Sequence, residues 1–227
     1  MGEHVDRAAD VPVAVRRGSQ EAYERLRDAI VGGRLQPNER LVEADLIPML
    51  HASRSAVRTA LVRLVQEGLV EHEPHRGAKV RLVDEHEAAE ILESRMVLEG
   101  LAARYAARNA TPEQVAELRE ILQGMQSSLD EGNLVGASEL NARFHALLLE
   151  IAGHRTVSRL VAMLNPQLVR FQFRTILLPG RAEQSFLEHG AIVDAVARGD
   201  ADAAEQAVRD HLAHVVEALR SQYRALV

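Results

Sequence analysis

From Asp84 onward, the chain consists of helix-length segments separated by very short breaks. Apolar residues recur within the segments at the spacing of one helix face, as at Ile91, Met96 or Val97, and Leu101, which is typical of amphipathic helices. The breaks contain Gly, Pro or Asn and lie at Asn109, Gly132-Asn133, Gly153, Pro179-Gly180 and Gly199-Asp200. Six helices are therefore predicted, at about 84–108, 112–130, 134–152, 155–177, 182–198 and 201–225. Because short connections make successive helices antiparallel, residues 84–227 are predicted to form an all-helical bundle.

The composition excludes several classes of protein. Cysteine is absent, so the chain has no disulfide framework, no thiolate zinc site and no cysteine nucleophile. Aromatic residues make up only 3% of the chain, which favours packed helices over a β-sandwich. No stretch approaches the roughly 18 consecutive apolar residues of a membrane span. Residues 1–18 lack the apolar segment of a secretory signal, so we interpret them as a flexible arm and expect a cytoplasmic protein.

Charge is distributed unevenly along the chain. Residues 19–83 carry a net charge of +1, whereas residues 84–227 carry −7. Between Ser53 and Arg81 the basic residues exceed the acidic ones by three. Such a modest basic stripe on an acidic protein is expected of a small DNA-binding module, although charge runs also occur on ordinary solvated surfaces.

Residues 19–83 follow the pattern of a winged helix-turn-helix. A first helix ends at Gly32-Gly33, a second short helix follows the turn LQPNERL, and a third extends from an N-cap at Ser53 to Gly68. Two short helices joined by about three residues have helix-turn-helix geometry. The Val-rich runs after Gly68 predict a β-hairpin, or wing. The expected fold is mainly α, with this domain preceding the antiparallel bundle.

The first turn of the third helix carries polar side chains that are placed to meet DNA, because its N–H groups and dipole favour phosphate. These residues are Ser53, Arg54, Ser55 and Arg58. Arg54 and Arg58 share one helix face, whereas Val57 and Leu61 lie on the face that packs. The alternative is that both arginines are ordinary exposed helix residues.

The turn of the wing contains a second group of candidate DNA contacts, His75, Arg76 and Gly77. Glycine allows the backbone to come close to phosphate or to the minor groove. The alternative for His75 is a simple turn residue.

The run LVEADLIPMLHASRSAVRTALVRLVQEGLVEHEPHRGAKV resembles the DNA-binding domain of GntR-family bacterial transcription regulators. The family pattern has a Ser-Arg start to the recognition helix, a following Val-Arg, a Leu-x-x-Leu core and a Gly-Leu-Val segment leading to the wing. This chain departs from it at Pro48 inside the second helix, at His51 in place of the usual turn glycine, and at Ala56 in place of a common proline. We expect Pro48 to bend or shorten the second helix and His51 to adopt a left-handed conformation.

Histidines in the bundle form a candidate metal site. Asn141 and His145 are four residues apart and project from one helix face, so both can reach one ion. His189 and His211 lie on two later helices. An amide oxygen and neutral imidazoles suit Zn, Ni, Co or Mn. Two other histidines are alternative candidates for metal ligands: His154 beside a loop glycine, and His214 three residues after His211.

Three segments of the bundle, SRMVLEGLAARYAA, LNARFHALLLEIAGH and EHGAIVDAVARGDADAAEQAVRDHLAH, resemble the FCD effector domain of FadR-type GntR regulators. The resemblance implies a dimeric, all-helical domain that holds a divalent ion (Zn, Ni or Mn) and binds a small carboxylic acid, often on that metal. Position by position, it implies that the metal ligands are Asn141, His145, His189 and His211. Asn141 stands where many metal-binding members have Asp, so this site has one negative charge fewer.

Arg95 matches a pocket-facing position of the same family and is a candidate for binding the acid. The alternative is an internal ion pair with Glu99.

These features predict a ligand-responsive DNA-binding regulator that acts as a homodimer on an inverted repeat. A metal-sensing regulator is an alternative. A metal-dependent enzyme is a weaker one, since the sequence has no HExxH motif and no nucleophile elbow.

Overall fold

The computed structural model describes residues 13–73, 77–176 and 178–224. The chain divides into two compact units between Leu82 and Val83. None of the helices in these ranges is both long and apolar enough to cross a membrane.

The N-terminal unit is a helix-turn-helix with a small sheet. Its elements are α1 (Val13–Val31), β1 (Arg40–Leu41), α2 (Glu43–Leu50), α3 (Arg54–Gln66), β2 (Val70–Glu73) and β3 (Gly77–Val80). The strands β2 and β3 form the predicted antiparallel wing, with Val70 opposite Val80. The third strand, β1, was not predicted, and it pairs with β3 through Arg40 opposite Lys79. Two residues are too short a strand to produce a periodic signal.

The helix α1 begins before Ser19, so residues 13–18 of the expected flexible arm are helical. A single glycine within a helix costs only about 1 kcal/mol relative to alanine, so Gly18 does not end it. Arg17 also pairs with Glu21 one turn later, at 3.2 Å. Residues 1–12 of the expected arm lie outside the described residues.

The turn between α2 and α3 has the conformation that the sequence predicted. Pro48 lies inside α2, which ends after two further residues at Leu50. His51 then adopts the left-handed conformation, with φ 48°. Ser53 caps α3, since its side chain accepts a hydrogen bond from the backbone N–H of Ala56 at 3.2 Å. This cap fixes the start of the helix that the sequence assigned to DNA recognition.

The C-terminal unit contains six described helices, as predicted. They are α4 (Glu85–Asn109), α5 (Pro112–Asp130), α6 (Leu134–Ala152), α7 (Arg155–Ile176), α8 (Arg181–Ala197) and α9 (Ala201–Arg224). Thr111 and Gln114 form a complete capping box at the start of α5.

The helix α4 is central in this unit and packs against α6, α7, α8 and α9, most extensively against α9. Its buried face consists largely of alanine, together with Gly100. A Cβ atom at Gly100 would lie 3.1 Å from Cγ of Arg209 on α9. These small residues therefore let α9 approach closely, and they bring the polar side chains of α4 within reach of the neighbouring helices.

Candidate functional site

Three histidines from three helices converge inside the C-terminal unit. His145 lies on α6, His189 on α8 and His211 on α9, and one ligand nitrogen from each lies within 4.8 Å of the others. All three are buried, with exposed fractions of 7%, 1% and 3% respectively. Three imidazoles at this separation could hold a zinc or related divalent ion and leave a position open for another ligand.

Carboxylates orient two of these imidazoles. Nδ1 of His145 lies 3.0 Å from Oε2 of Glu99, and Nδ1 of His211 lies 2.7 Å from Oε2 of Glu188. An ionised carboxylate only accepts hydrogen bonds, so each Nδ1 carries the proton and donates it. A neutral imidazole held in this way keeps its lone pair on Nε2, as in metal sites where a carboxylate supports a histidine ligand.

Both glutamates are ionised at neutral pH. Burial alone would raise the pKa of Glu99, but Arg95 and His145 lower it to about 2. The pKa of Glu188 is likewise about 2, because hydrogen bonding and charge from His211, with Arg181, outweigh its burial.

His189 has a different environment from the other two histidines. Within the described part of the chain, neither of its ring nitrogens has a hydrogen-bond partner. Burial and the neighbouring His211 and His145 hold its pKa well below 6.5, so the ring is neutral. A buried imidazole with two unpaired nitrogens is costly in free energy, and coordination of a metal by one of them reduces that cost.

Asn141 lines the same cavity as the three histidines and lies one turn before His145 on α6. His154 is not part of the group, since its Nδ1 accepts from the backbone N–H of Val157 at 3.4 Å and its ring contacts Tyr105. His214 is 56% exposed, and its Nδ1 lies 2.7 Å from Oε1 of Glu188. His214 therefore contacts the carboxylate that supports His211, but it is not one of the three clustered histidines.

Arg95 lines the cavity, and its Nε donates to Oε1 of Glu99 at 2.6 Å. The internal ion pair, which was the alternative for this residue, is therefore present, and the binding of an acid by Arg95 stays a prediction. A second arginine, Arg181, lines the cavity as the first residue of α8 and donates through Nη2 to Glu188 at 3.0 Å. Neither Arg181 nor Glu188 was predicted as a site residue from the sequence. The sequence did mark Arg181, because a cation in the first turn of a helix opposes the helix dipole and is therefore unusual at that position.

The first turn of α3 presents its predicted side chains to solvent. Ser53, Arg54, Ser55 and Arg58 are all exposed, whereas Val57 and Leu61 are buried as expected. The guanidinium of Arg58 is engaged, since its Nε donates to both carboxylate oxygens of Glu43 on α2 at 2.8 and 3.0 Å. Hydrogen bonding to Arg58 lowers the pKa of Glu43.

In the wing, Gly77 is exposed and has φ 86°, a left-handed conformation that favours glycine. His75 and Arg76 lie outside the described residues. Lys79 on β3 pairs with Glu71 and Glu73 on β2, both at 2.9 Å, so this member of the basic stripe is locally neutralised.

Comparison with known families accounts for both units. The model of the FCD domain matches residues 90–214, and the model of the bacterial regulatory proteins of the gntR family matches residues 18–80. The chain belongs to the GntR family. This GntR regulator is 27% identical over 202 residues to the HTH-type transcriptional repressor RspR of Escherichia coli (strain K12), and the match covers 89% of each chain.

A second relative of this GntR regulator is an uncharacterized HTH-type transcriptional regulator in an unstable DNA locus of Streptomyces ambofaciens. The two are 32% identical over 205 residues, which cover 89% of this chain and 85% of the relative. The solved structure of E. coli McbR/YncC matches with a TM-score of 0.75 and 22% identity, over 91% of this chain and 98% of that one. Because the family and these relatives are transcriptional regulators rather than enzymes, the protein is a DNA-binding transcriptional regulator.

Proposed function

We propose that a small carboxylic acid controls the operator affinity of this regulator, and that the acid binds beside a divalent metal ion held by Asn141, His145, His189 and His211. The observation that carries this proposal is the convergence of three buried imidazoles, with ligand nitrogens within 4.8 Å of one another. The unpaired nitrogens of His189 support it independently. When bound, the metal (Zn, Ni or Mn) supplies a Lewis-acidic position for the carboxylate.

The protein's own residues then have separate tasks. Glu99 and Glu188 hold two imidazoles by their Nδ1 protons, so that the Nε2 lone pairs are available to the metal. Arg95 attracts the anion to the cavity. The proposed metal ligands come from α6, α8 and α9, so ligand binding involves three helices. An acid that has different affinities for two arrangements of those helices shifts the population between them.

For the DNA-binding unit, we propose that Ser53, Arg54, Ser55 and Arg58 contact the operator from α3, and that Gly77 contacts it from the wing with His75 and Arg76. All the α3 residues in this group lie in or beside its first turn, where backbone N–H groups favour phosphate. We further propose that the protein is a homodimer, as the resemblance to FadR-type GntR regulators implies, and that its two-fold symmetry matches an inverted repeat in the operator.

Elemental analysis tests the metal site. Wild-type protein incubated with Zn, Ni or Mn is expected to retain about one ion per chain, and His189→Ala and His211→Ala are expected to retain far less. The matched control is His154→Ala, which changes a histidine outside the cluster and is expected to retain the ion. Wild-type protein that holds no metal after each incubation contradicts the site.

Operator binding tests the effector. On a DNA site selected by the wild-type protein from a random pool, metal-loaded protein is titrated with propionate and with short dicarboxylic acids. An acid-dependent change in affinity supports the proposal. A response to metal alone, with no further effect of any acid, identifies a metal-sensing regulator instead.

A further inference from the structure

We propose that the cavity beside the three histidines takes a dianionic effector, a short dicarboxylate, whose second carboxylate is held by Arg181 and Arg95. This inference rests on the metal and acid site proposed above. It adds a second anion-binding position and gives a role to Arg181.

The first argument is that the cavity contains unused hydrogen-bond donors. Nη1 of Arg95, and Nε and Nη1 of Arg181, are buried and have no acceptor among the residues that the structure describes. The two residues are only 3% and 8% exposed. Buried guanidinium nitrogens without acceptors are rare, because each unpaired N–H raises the free energy of the folded state. A carboxylate between the two side chains supplies the missing acceptors.

The second argument is the balance of charge around the cavity. Arg95 is already paired with Glu99, and Arg181 with Glu188. The four proposed metal ligands are one amide and three imidazoles, which coordinate metal in the neutral form. The double positive charge of the metal is therefore not compensated by its protein ligands. A dianion compensates it fully, whereas a monocarboxylate leaves one positive charge in a largely buried space.

The third argument is the nature of the remaining wall. The described lining includes no acidic side chain and has an apolar part formed by Leu92, Met125, Phe186, Leu212 and Val215. The cavity is small, about 70 Å³. A cavity that combines anion-binding atoms with an apolar wall fits a short carbon chain with a carboxylate at each end.

Calorimetry on the metal-loaded full-length protein tests the inference with three matched pairs of acids. Malonate is compared with propionate, succinate with butyrate, and glutarate with pentanoate, so that each pair differs only in the second carboxylate. The best dicarboxylate is expected to bind roughly ten- to a hundredfold more tightly than its partner, the usual gain from hydrogen bonds between charged groups. Metal content after each titration is measured to exclude removal of the ion by the acid.

Variants assign the second carboxylate to its residues. Arg181→Lys keeps a cation beside Glu188 but loses the planar donor group, and it is expected to lose most of the preference for dicarboxylates while binding monocarboxylates within about twofold of wild type. Arg95→Lys provides a second variant that is expected to lose the same preference. Because Arg95 also attracts a monocarboxylate to the cavity, only the ratio of the two affinities is compared for this variant. The control is Arg104→Lys, on the same helix as Arg95 but paired with Glu205 outside the cavity at 3.1 Å, and it is expected to leave the preference unchanged.

Each of the other outcomes has a distinct meaning. Equal binding of the two members of every pair overturns the dianion and leaves the metal and monocarboxylate site standing. A preference that survives in both lysine variants overturns the assignment of Arg181 and Arg95. Failure of every acid to bind metal-loaded protein overturns the proposed effector function, and the inference with it.

Discussion

Arginine–glutamate pairs occur on the exposed face of α3 and at the cavity of the C-terminal unit, and their surroundings give them opposite properties. In the pair of Arg58 and Glu43, the side chains are 63% and 35% exposed, whereas those of Arg95 and Glu99 are 3% and 5% exposed. The Nε–carboxylate distances are similar, 2.8 and 2.6 Å. Water screens the exposed pair and replaces its partners at little cost. In the buried pair, neither group can lose its partner without leaving an uncompensated charge.

This difference suits the two sites to their tasks. In the proposed DNA contact, Arg58 exchanges its carboxylate partner for phosphate or a base edge, so an exposed and exchangeable pair is appropriate. In the proposed effector site, Arg95 keeps its position while ligands bind and leave, and a buried pair with a fixed partner does this. The same chemical pair is therefore a replaceable contact in one unit and a fixed support in the other.

The largest expected effect is that of breaking the buried pair. Glu99→Gln keeps the shape of the side chain but leaves the charge of Arg95 unpaired and weakens the support of His145. We expect it to lower the free energy of unfolding of the metal-free protein by about 3–5 kcal/mol, as measured by urea denaturation. The control is Glu93→Gln on the same helix, whose pair with Arg220 has both side chains about half exposed. That change should cost under about 1 kcal/mol, and equal losses in the two variants would contradict the comparison.

The next effect concerns the exposed arginines in their DNA-binding role. Arg54→Ala and Arg58→Ala are each expected to weaken operator binding roughly ten- to a hundredfold at constant salt if the residue reads a guanine edge. Arg63→Ala is the control on the same helix, because Arg63 packs over the ring of Tyr23 at 3.5 Å and pairs with Glu67 at 3.2 Å. Its operator affinity should stay within about twofold of wild type. Unchanged affinity in both of the first two variants would remove these arginines from the DNA contact.

Proton uptake by the buried histidines gives a smaller effect. Burial lowers the pKa of His211 to about 4 despite the opposing hydrogen bond to Glu188. Because the unfolded chain binds this proton near pH 6.5 and the folded chain does not, the metal-free protein loses stability as pH falls from 6.5 toward 4. His211 alone should account for roughly 2 kcal/mol between pH 7 and pH 5. The effect of Glu99 and Glu188 enters only below about pH 4.5, since their pKa is lowered to about 2.

Unfolding free energies of wild type and His211→Asn, measured across this range without metal, check the prediction. The variant should show a shallower dependence on pH. Identical slopes would mean that His211 is protonated in the folded protein as readily as in the unfolded chain. Because the pKa of His189 and that of His211 are both lowered from 6.5, protons compete with a metal for these imidazoles only when the pH is well below 6.5.

Most of the fold could be predicted from the sequence because the breaks between helices are local signals. Glycine, proline and the capping box at Thr111 act through their own backbone and the adjacent turn, so the boundaries of α5 and α6 were predicted to the residue. The strand β1 was missed because two residues carry no periodicity, and the early start of α1 because Gly18 does not end that helix.

The candidate site was only partly predictable because its decisive properties are tertiary. The four-residue spacing of Asn141 and His145 was enough to predict that they share one helix face and can reach one ion. By contrast, spacing could not separate His211 from His214, and only their burial does so. The roles of Glu188 and Arg181 depend on contacts across α8 and α9, which leave no pattern in the sequence.

The smallest expected effect is on operator affinity and concerns the exposed pair of Arg58 and Glu43. Glu43 holds Arg58 in the unbound protein, and DNA must displace that carboxylate for the guanidinium to bind a phosphate or a base. Glu43→Gln is therefore expected to raise operator affinity by roughly two- to fivefold at low salt, and by less as added salt screens the exposed pair. Asp45→Asn is the control, because Asp45 is exposed on the same helix and its replacement removes the same charge without releasing Arg58. Equal gains in affinity in the two variants would mean that the effect comes from net charge alone. A loss of affinity in Glu43→Gln would mean that the carboxylate positions Arg58 for DNA rather than competing with DNA for it.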